Sequence, residues 1–145
     1  MNNAASTERG DAHTTDSALF ARLLDNNTLA PFRLVQAALP QRRQTGDCVH
    51  NISSVNVYCG EPNSLPYNIS KDALMTLSRN LENTLMRKDG VRVNQINPCW
   101  PQTETEQQLK IAEGIDEQWH EYLPEVCAPS GRIQWPREVA ATAID

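Results

Sequence analysis

Several features that mark other classes of protein are missing from this 145-residue sequence. It contains no run of about eighteen apolar residues, so no segment is expected to span a membrane. The N-terminus lacks a basic region followed by an apolar stretch, so no secretory signal is expected. Basic residues are in the minority, and the net charge of -5 disfavours binding to nucleic acid or to an anionic membrane surface. Together these absences favour a cytoplasmic location.

Metal-binding and redox motifs are missing as well. The 4 cysteines and 3 histidines are scattered along the chain, without a C-x-x-C pair or an H-E-x-x-H motif. We therefore expect no metal site, and we expect the cysteines to be reduced thiols. What is present is the composition of a globular domain, since 39% of the residues are apolar and the length allows one hydrophobic core.

The first regular element predicted from the sequence is a helix. Residues 1–15 are polar and indicate a loop. The helical pattern begins at Asp16, whose side chain is a suitable N-cap. Pro31 is expected to kink this helix because it removes a backbone donor, and Pro40 is expected to end it. A polar turn over residues 41–47 follows.

The next segment predicts a strand, a long helix and a second strand. Residues 48–54 form a short run typical of a buried strand, and residues 91–97 alternate in the second strand. Asp89-Gly90 ends the helix between them. The apolar stripe of that helix is predicted to consist of Ile69, Ala73, Leu77, Leu81 and Leu85, broadened by Leu74. This order predicts one right-handed βαβ crossover, the unit of a parallel sheet.

Beyond Pro98 the pattern becomes irregular. Acidic and amide residues dominate positions 102–108, and we expect an insertion with short helices, of the kind that covers ligand sites in α/β proteins. A last helix begins near Pro136 and is expected to be still running at Asp145. The aromatic residues of this region favour either a ligand-binding wall or core packing: Trp100, Trp119, Tyr122 and Trp135.

Ser54, Tyr67 and Lys71 form the strongest group of chemically active residues. Tyr67 and Lys71 are four apart at the start of the long helix and therefore share one helix face. Ser54 lies at the C-terminal end of the preceding strand, the edge at which open α/β sheets bind ligands. A phenol with its ordinary pKa of about 10 is a poor base at neutral pH, but an adjacent ammonium group lowers that pKa. The phenol can then exchange a proton with a substrate oxygen that the serine hydroxyl holds.

The motifs, in this order, resemble those of the short-chain dehydrogenase/reductase family. Asn2-Asn3-Ala4 looks like the family's N-N-A-G segment at the end of its fourth strand, and Asn51-Ile52-Ser53-Ser54 looks like its serine strand. Tyr67-Asn68-Ile69-Ser70-Lys71 resembles the Y-x-x-S-K signature. Residues 91–98, 129–132 and 136–140 are similar to later segments of the family. The resemblance covers nearly the whole chain.

This resemblance implies hydride transfer between NAD or NADP and a small-molecule alcohol or carbonyl substrate. It implies that Tyr67 is the general acid and base, that Lys71 lowers its pKa and holds the nicotinamide ribose, and that Ser54 orients the substrate oxygen. It also implies that Asn27 positions a water for the proton relay, although a polar residue at a helix kink needs no such role. Further contacts to the cofactor are implied for Asn3, Ala4, Pro98 and Thr103.

The fold implied by the resemblance is a Rossmann-type, doubly wound parallel sheet, of which this chain matches a part. We expect a single domain over residues 1–145 with about three strands and flanking helices. Within it we expect a loop over 1–15, the catalytic βαβ core over 16–100, a substrate lid over 101–135 and the start of the last helix over 136–145. The first βαβαβ unit is not found, because the 6 glycines are isolated and form no glycine-rich phosphate turn. The chain is therefore expected to be truncated before its first residue and before its last strand.

Three positions depart from the family pattern. Ala5 and Cys99 stand where the family has glycine, and Pro101 lacks the backbone N–H that would reach the nicotinamide carboxamide. Each departure is expected to weaken cofactor binding. Two functions therefore remain open, an oxidoreductase or a non-catalytic remnant that associates through its long helices, as in a homo-oligomer. The sequence fixes neither the substrate nor the choice between NAD and NADP.

Overall fold

The computed structural model describes residues 1–121, 123 and 131–143. The helices and strands formed within them are α1 (Ser17–Leu24), α2 (Ala30–Thr45), β1 (Cys48–Ile52), α3 (Leu65–Asp89), β2 (Arg92–Ile96), α4 (Glu104–Ala112) and α5 (Pro136–Thr142). Residues Met1–Asn97 form one unit and Pro98–Asp145 a second. The predicted catalytic core, residues 16–100, therefore ends close to the boundary between the units. No helix in the described ranges combines the length and apolar character needed to cross a bilayer.

The sheet of the first unit is parallel. β1 and β2 pair in parallel with Cys48 opposite Arg92 and Ile52 opposite Ile96. Asn2 extends the sheet beyond β1 by a one-residue parallel bridge, in which its N–H donates to the His50 carbonyl at 2.8 Å and its carbonyl accepts from Ile52 N–H at 3.0 Å. The predicted βαβ order and the α/β class are confirmed, with two strands and this bridge where about three strands were expected.

Helix α3 connects the two strands. Its end at Asp89 follows the prediction, because Gly90 adopts the left-handed conformation that caps many helices. A hydrophobic cluster joins α2, α3 and the two strands. Its buried residues are Val35, Val49, Leu85, Val91 and Val93, and Leu39 and Leu81 pack against them.

The predicted apolar stripe of α3 is only partly the buried face. Ile69 is 38% exposed, whereas Leu85 is 6% exposed. Positions four apart advance by about 40° around a helix, so a row from Ile69 to Leu85 turns from the outside of the helix towards the sheet. Leu74, which the predicted stripe included, is buried, and the buried face also contains the polar residues Ser70, Lys71 and Ser78.

The predictions for the first helix are partly wrong. The side chain of Asp16 caps α1 as predicted and accepts from Leu19 N–H at 2.7 Å. The regular helix is interrupted over Asp25–Leu29, which form a π-helical turn directly before Pro31, as expected for a proline that removes a backbone donor. Pro40 does not end the helix. Its ring is exposed, and α2 runs on to Thr45, where Gly46 caps it and the terminal Arg42 and Arg43 form ion pairs with Asp47 and Asp89.

The second unit contains short helices, as expected. Gln134 pairs with the chain around Pro101, since its N–H donates to the Trp100 carbonyl and its carbonyl accepts from Gln102 N–H. Trp119 is buried, and its ring centroid lies 5.0 Å from that of Trp100, as in core packing. Tyr122 and residues 129–130 lie outside the described residues.

The prediction for the last helix is wrong at its C-terminal end. α5 ends at Thr142 with Ala143 as its C-cap, and so it does not run on to Asp145. The three-residue run Ala-Ala-Thr that ends the helix presents no side chain to bury, and Thr142 bonds its hydroxyl back to the Glu138 carbonyl.

Candidate active site

Tyr67 and Lys71 lie on one face of the first two turns of α3. Pro66 occupies the start of the helix, where its fixed φ angle suits the first turn. The N-terminal loop holds this end in place, because Gly10 N–H donates to the Asn63 carbonyl and the Gly10 carbonyl accepts from Leu65 N–H. The Lys71 Nζ lies 5.7 Å from the centroid of the Tyr67 ring. The structure therefore brings Tyr67 and Lys71 together, as their spacing of four residues predicted.

Lys71 is the most deeply buried charged residue of this site. Its side chain is 3% exposed, and its Nζ donates to the Ile52 carbonyl at 2.8 Å. Burial lowers the pKa of this ammonium group from the ordinary 10.5 to about 8, because the charged form loses hydration. Lys71 nevertheless remains largely protonated at pH 7. An ammonium group has three N–H donors, of which the Ile52 carbonyl takes one.

Helix α3 and the end of β1 are joined by two reciprocal hydrogen bonds. Lys71 donates to Ile52, the last residue of β1, and the Ser53 hydroxyl donates to the Lys71 carbonyl at 2.9 Å. The lysine position is thereby fixed relative to the strand that leads into Ser54. Ser53 was not predicted, because a serine next to the expected catalytic serine carries no distinguishing sequence signal.

Ser54 lies directly after β1, at its C-terminal end, as predicted. It is buried, and its Oγ accepts from the Asn56 N–H at 3.2 Å, so that it caps a short 3₁₀ turn over Val55–Val57. The hydroxyl hydrogen can still be donated to another oxygen. The side chain of Asn56 bonds to Glu61 and to Asn68, the neighbour of Tyr67, and so holds the loop against α3.

Asn27 is buried in the π-helical turn, and its side-chain amide is fully engaged. The Nδ2 donates to the Ser6 carbonyl and to the Ser70 Oγ, both at 2.9 Å, and the Oδ1 accepts from Ser6 N–H at 2.8 Å. Ser70 in turn donates to the Tyr67 carbonyl at 2.7 Å. Asn27 therefore connects the N-terminal segment to the helix turn that carries Tyr67. The partners of Asn27 were not predicted, because they lie 21 and 43 residues away in sequence.

The residues implied as cofactor contacts fall in both units. Asn3 and Ala4 are exposed and follow Asn2, whose side chain donates to Asn51 Oδ1 at 2.7 Å near the C-terminal end of β1. Pro98 and Thr103 belong to the second unit, where Pro98 is buried and Thr103 is exposed. The Thr103 Oγ1 caps α4 by accepting from Glu106 N–H at 3.2 Å.

Comparison with protein families and curated proteins gives a consistent result. A family model described as Enoyl-(Acyl carrier protein) reductase matches residues 1–144. The short-chain dehydrogenase fogB of Aspergillus ruber is 32% identical over 92% of this chain and 53% of its own length. The L-fucose dehydrogenase of Rattus norvegicus is 32% identical over 90% of this chain and 47% of its own length. The chain thus spans about half the length of the curated relatives it matches.

Solved structures share the fold. L-sorbose reductase from Gluconobacter frateurii, complexed with NADPH and L-sorbose, superposes with a TM-score of 0.88 at 24% identity, covering 99% of this chain and 56% of the reductase. A variant of actinorhodin polyketide ketoreductase with NADPH gives a TM-score of 0.86 at 22% identity, covering 99% of this chain and 57% of the ketoreductase. These likenesses establish a Rossmann-type fold. With the family match over residues 1–144, they show that the chain belongs to the short-chain dehydrogenase/reductase family of oxidoreductases.

Proposed function

We propose that this chain carries the catalytic residues for hydride transfer between NAD or NADP and a small alcohol or carbonyl compound. The observation that carries the proposal is the buried Lys71 ammonium beside the Tyr67 ring, bonded to the last carbonyl of β1. Among the described residues no carboxylate pairs with this amine, so its burial is costly, and a buried amine with a strongly lowered pKa is a candidate functional residue. Ser54 follows the same strand end.

The proposed roles follow from the chemistry of the three side chains. Tyr67 gives its phenolic proton to a carbonyl oxygen in reduction and takes a proton from a hydroxyl in oxidation. With a pKa of about 8, Lys71 carries its charge at pH 7 and stabilises the phenolate of Tyr67. Ser54 donates its hydroxyl hydrogen to the reacting oxygen of the substrate. The nicotinamide cofactor, when bound, supplies or accepts the hydride.

The first unit offers groups that fit the ribose of such a cofactor. Lys71 has two N–H donors beyond the one bonded to Ile52, and ribose hydroxyls are suitable acceptors for them. Asn3 and Ala4 are proposed to contact the cofactor at the same end of β1. For Pro98 and Thr103, a contact with the cofactor is proposed only because the resemblance to the family implies it. The complex of L-sorbose reductase with NADPH and L-sorbose supports NADPH and a polyhydroxylated substrate of this type.

Asn27 is proposed to serve the proton relay through its backbone. Its side-chain amide already bonds to Ser6 and Ser70. Position 31, four residues further on, is proline, which cannot donate the α-helical hydrogen bond to the Asn27 carbonyl. That carbonyl, rather than the amide, is the group we propose to hold a water.

The test compares Tyr67 with a second tyrosine of the same unit. The purified chain would be titrated with NADH and NADPH and then assayed for cofactor oxidation with ketoses and simple ketones. We expect Tyr67→Phe to keep cofactor affinity and to lower kcat by about 10²- to 10⁴-fold, the usual contribution of a general acid. The control, Tyr58→Phe, alters an exposed ring and should leave kcat unchanged.

Two results would count against this function. Retained turnover in Tyr67→Phe would remove the tyrosine from its role. A folded chain that binds neither cofactor would leave the alternative, a non-catalytic protein.

We also propose that the chain associates with a second copy through α3. Leu65 and Ile69, one turn apart at the start of this helix, are each 38% exposed, and Ala73 and Leu77 continue the same row half-buried. An apolar row of this kind on a helix surface favours contact with another apolar surface. This association is compatible with either a catalytic or a non-catalytic protein.

A further inference from the structure

Cys48 and His50 take no part in the proposed hydride transfer and lie at the other end of β1. They are two residues apart on one strand, so their side chains project from the same face of the sheet. The Cys48 Sγ lies 2.8 Å from the His50 Nε2. The other ring nitrogen, Nδ1, is buried and has no hydrogen-bond partner in the described part of the chain. The thiol is therefore the group that engages this imidazole.

A cationic residue, Arg92, lies opposite Cys48 on the neighbouring strand. Cys48 is directly opposite Arg92 in the parallel register, and residues opposite each other on neighbouring strands share a face. The Arg92 side chain is exposed, whereas Cys48 is half-buried at the start of the strand. A guanidinium group on the same face of the sheet attracts anionic reagents towards that face.

We propose that Cys48, His50 and Arg92 form a thiol-modification site that reacts with small anionic disulfides, of which oxidised glutathione is the chemical example. Imidazole is a base that accepts a thiol proton at the distance observed, and nucleophile–base pairs in hydrogen-bond contact are the common arrangement of reactive cysteines. Arg92 supplies the charge that selects an anionic reagent. Arg92 is exposed, and neither Cys48 nor His50 belongs to the buried hydrophobic cluster of the first unit.

The reaction is a thiol–disulfide exchange that needs no other oxidant. The His50 Nε2 accepts the proton of the Cys48 thiol, and the Cys48 sulfur attacks one sulfur of the disulfide. The disulfide bond breaks as the new S–S bond to Cys48 forms. The departing thiolate takes a proton and leaves as a thiol, so that one disulfide and one thiol give a mixed disulfide and a new thiol.

This site is separate from the proposed active site. Cys48 and Ser54 are six residues apart along an extended segment, which corresponds to roughly 20 Å. Modification of Cys48 therefore needs neither cofactor nor substrate, and its test does not depend on whether hydride transfer occurs.

The test measures the modification rate of individual cysteines in one sample. The chain would be incubated with oxidised glutathione at pH 7, quenched with acid, and analysed by peptide mass spectrometry. We expect Cys48 to be modified at least about tenfold faster than Cys59, an exposed free thiol whose sulfur donates to the Val55 carbonyl. In the described part of the chain, Cys59 forms no hydrogen bond with a basic side chain.

Two variants separate the contributions. His50→Gln is expected to slow Cys48 at least about tenfold and to leave Cys59 unchanged. Arg92→Gln is expected to slow the reaction with oxidised glutathione by several-fold but to leave the reaction with the neutral 2-hydroxyethyl disulfide unchanged. Far-UV circular dichroism would check that both variants fold.

Several outcomes would overturn the proposal. The first is that, in the unsubstituted chain, oxidised glutathione modifies Cys48 no faster than Cys59. This comparison needs no variant, so it tests the proposal even if a variant fails to fold. Another is a folded His50→Gln variant in which Cys48 reacts as fast as before. Equal effects of Arg92→Gln on the anionic and the neutral disulfide would remove Arg92 from the site.

Discussion

Buried polar side chains organise the candidate active site at the scale of single residues. Each of them joins two segments: Lys71 joins α3 to β1, and Asn27 joins the N-terminal segment to α3. A buried polar group that loses its partner costs more free energy than the net gain from making the bond. The site geometry is thus coupled to the stability of the first unit.

Lys71 should make the stability of the protein depend on pH in a defined window. Its pKa is about 8 in the folded chain and an ordinary 10.5 in the unfolded chain, so the unfolded chain holds the proton more tightly. The penalty for burying the charge is fully present below pH 8 and is relieved as the pH rises to 10.5. The free energy of unfolding of the native chain, relative to that of Lys71→Met, should therefore rise by about 3 kcal/mol across this window.

Urea denaturation of both chains at a series of pH values measures this difference. Groups that do not interact with Lys71 titrate alike in both chains and cancel in the comparison. Both chains would also carry Tyr67→Phe, so that the phenol proposed to interact with Lys71 does not titrate. A difference that stays flat between pH 8 and 10.5 would mean that Lys71 is not buried as described.

Asn27→Ala should destabilise the chain far more than the same change at its neighbour. Removal of the Asn27 amide deprives the Ser6 backbone and the Ser70 hydroxyl of their buried partners, and we expect a loss of about 3 kcal/mol. Asn26 is exposed and bonds only to the Ser6 Oγ among the described residues, so Asn26→Ala should cost less than about 1 kcal/mol. Thermal or urea unfolding measures the loss of stability in each variant. Equal losses for Asn27→Ala and Asn26→Ala would contradict the conclusion that the Asn27 amide links the N-terminal segment to α3.

At the scale of elements, local patterns predicted where helices and strands occur better than which faces they bury. The strands over 48–52 and 92–96 and the C-terminal end of α3 follow from short apolar runs and a glycine stop. The contact of Asn51 with Ser78 and that of Asn27 with Ser70 join residues far apart in sequence, and no local pattern specifies them. The proximity of Tyr67 and Lys71 was predictable because they are one helical turn apart.

Pro40 shows the physical limit of a local stop signal. A proline removes one backbone bond, here to the Gln36 carbonyl, but the ring can point to solvent and the last turn can be fixed by other contacts. In α2 these are the left-handed Gly46 cap and the ion pair between Arg43 and Asp89. Such contacts come from other parts of the chain and were not visible in the helix sequence.

Replacing the two prolines of α2 by alanine should have opposite effects. Pro40→Ala restores an N–H for the Gln36 carbonyl at an exposed position, and we expect a gain of about 1 kcal/mol after the loss of proline's restriction of the unfolded chain. Pro31 is buried directly after the π-helical turn, and Pro31→Ala should cost about 1 kcal/mol through lost packing. The midpoint of denaturant unfolding should rise in Pro40→Ala and fall in Pro31→Ala. A loss of stability in Pro40→Ala would mean that α2 depends on the proline.

At the scale of the molecule, the first unit combines the candidate active site with surfaces of other character. Ser54 and the Tyr67–Lys71 pair are at the C-terminal end of β1, and the Cys48–His50 pair is at its N-terminal end. The outer row of α3 begins with the exposed Leu65 and Ile69. Single exposed apolar residues are common on protein surfaces, but a row at helical spacing is a candidate contact surface.

Self-association through this row should be lost when charge is introduced into it. Leu65→Lys combined with Ile69→Lys places two ammonium groups where apolar contact is proposed, and burying them unpaired would be costly. We expect the dissociation constant of the self-complex, measured by sedimentation velocity over a concentration series, to rise at least about tenfold, which corresponds to about 1.4 kcal/mol. The control is Gln41→Lys combined with Gln44→Lys, which adds the same charge at exposed polar positions of α2, outside the proposed contact row. Equal weakening by both pairs would indicate general charge repulsion, and a chain that is monomeric at every concentration would exclude association through α3 altogether.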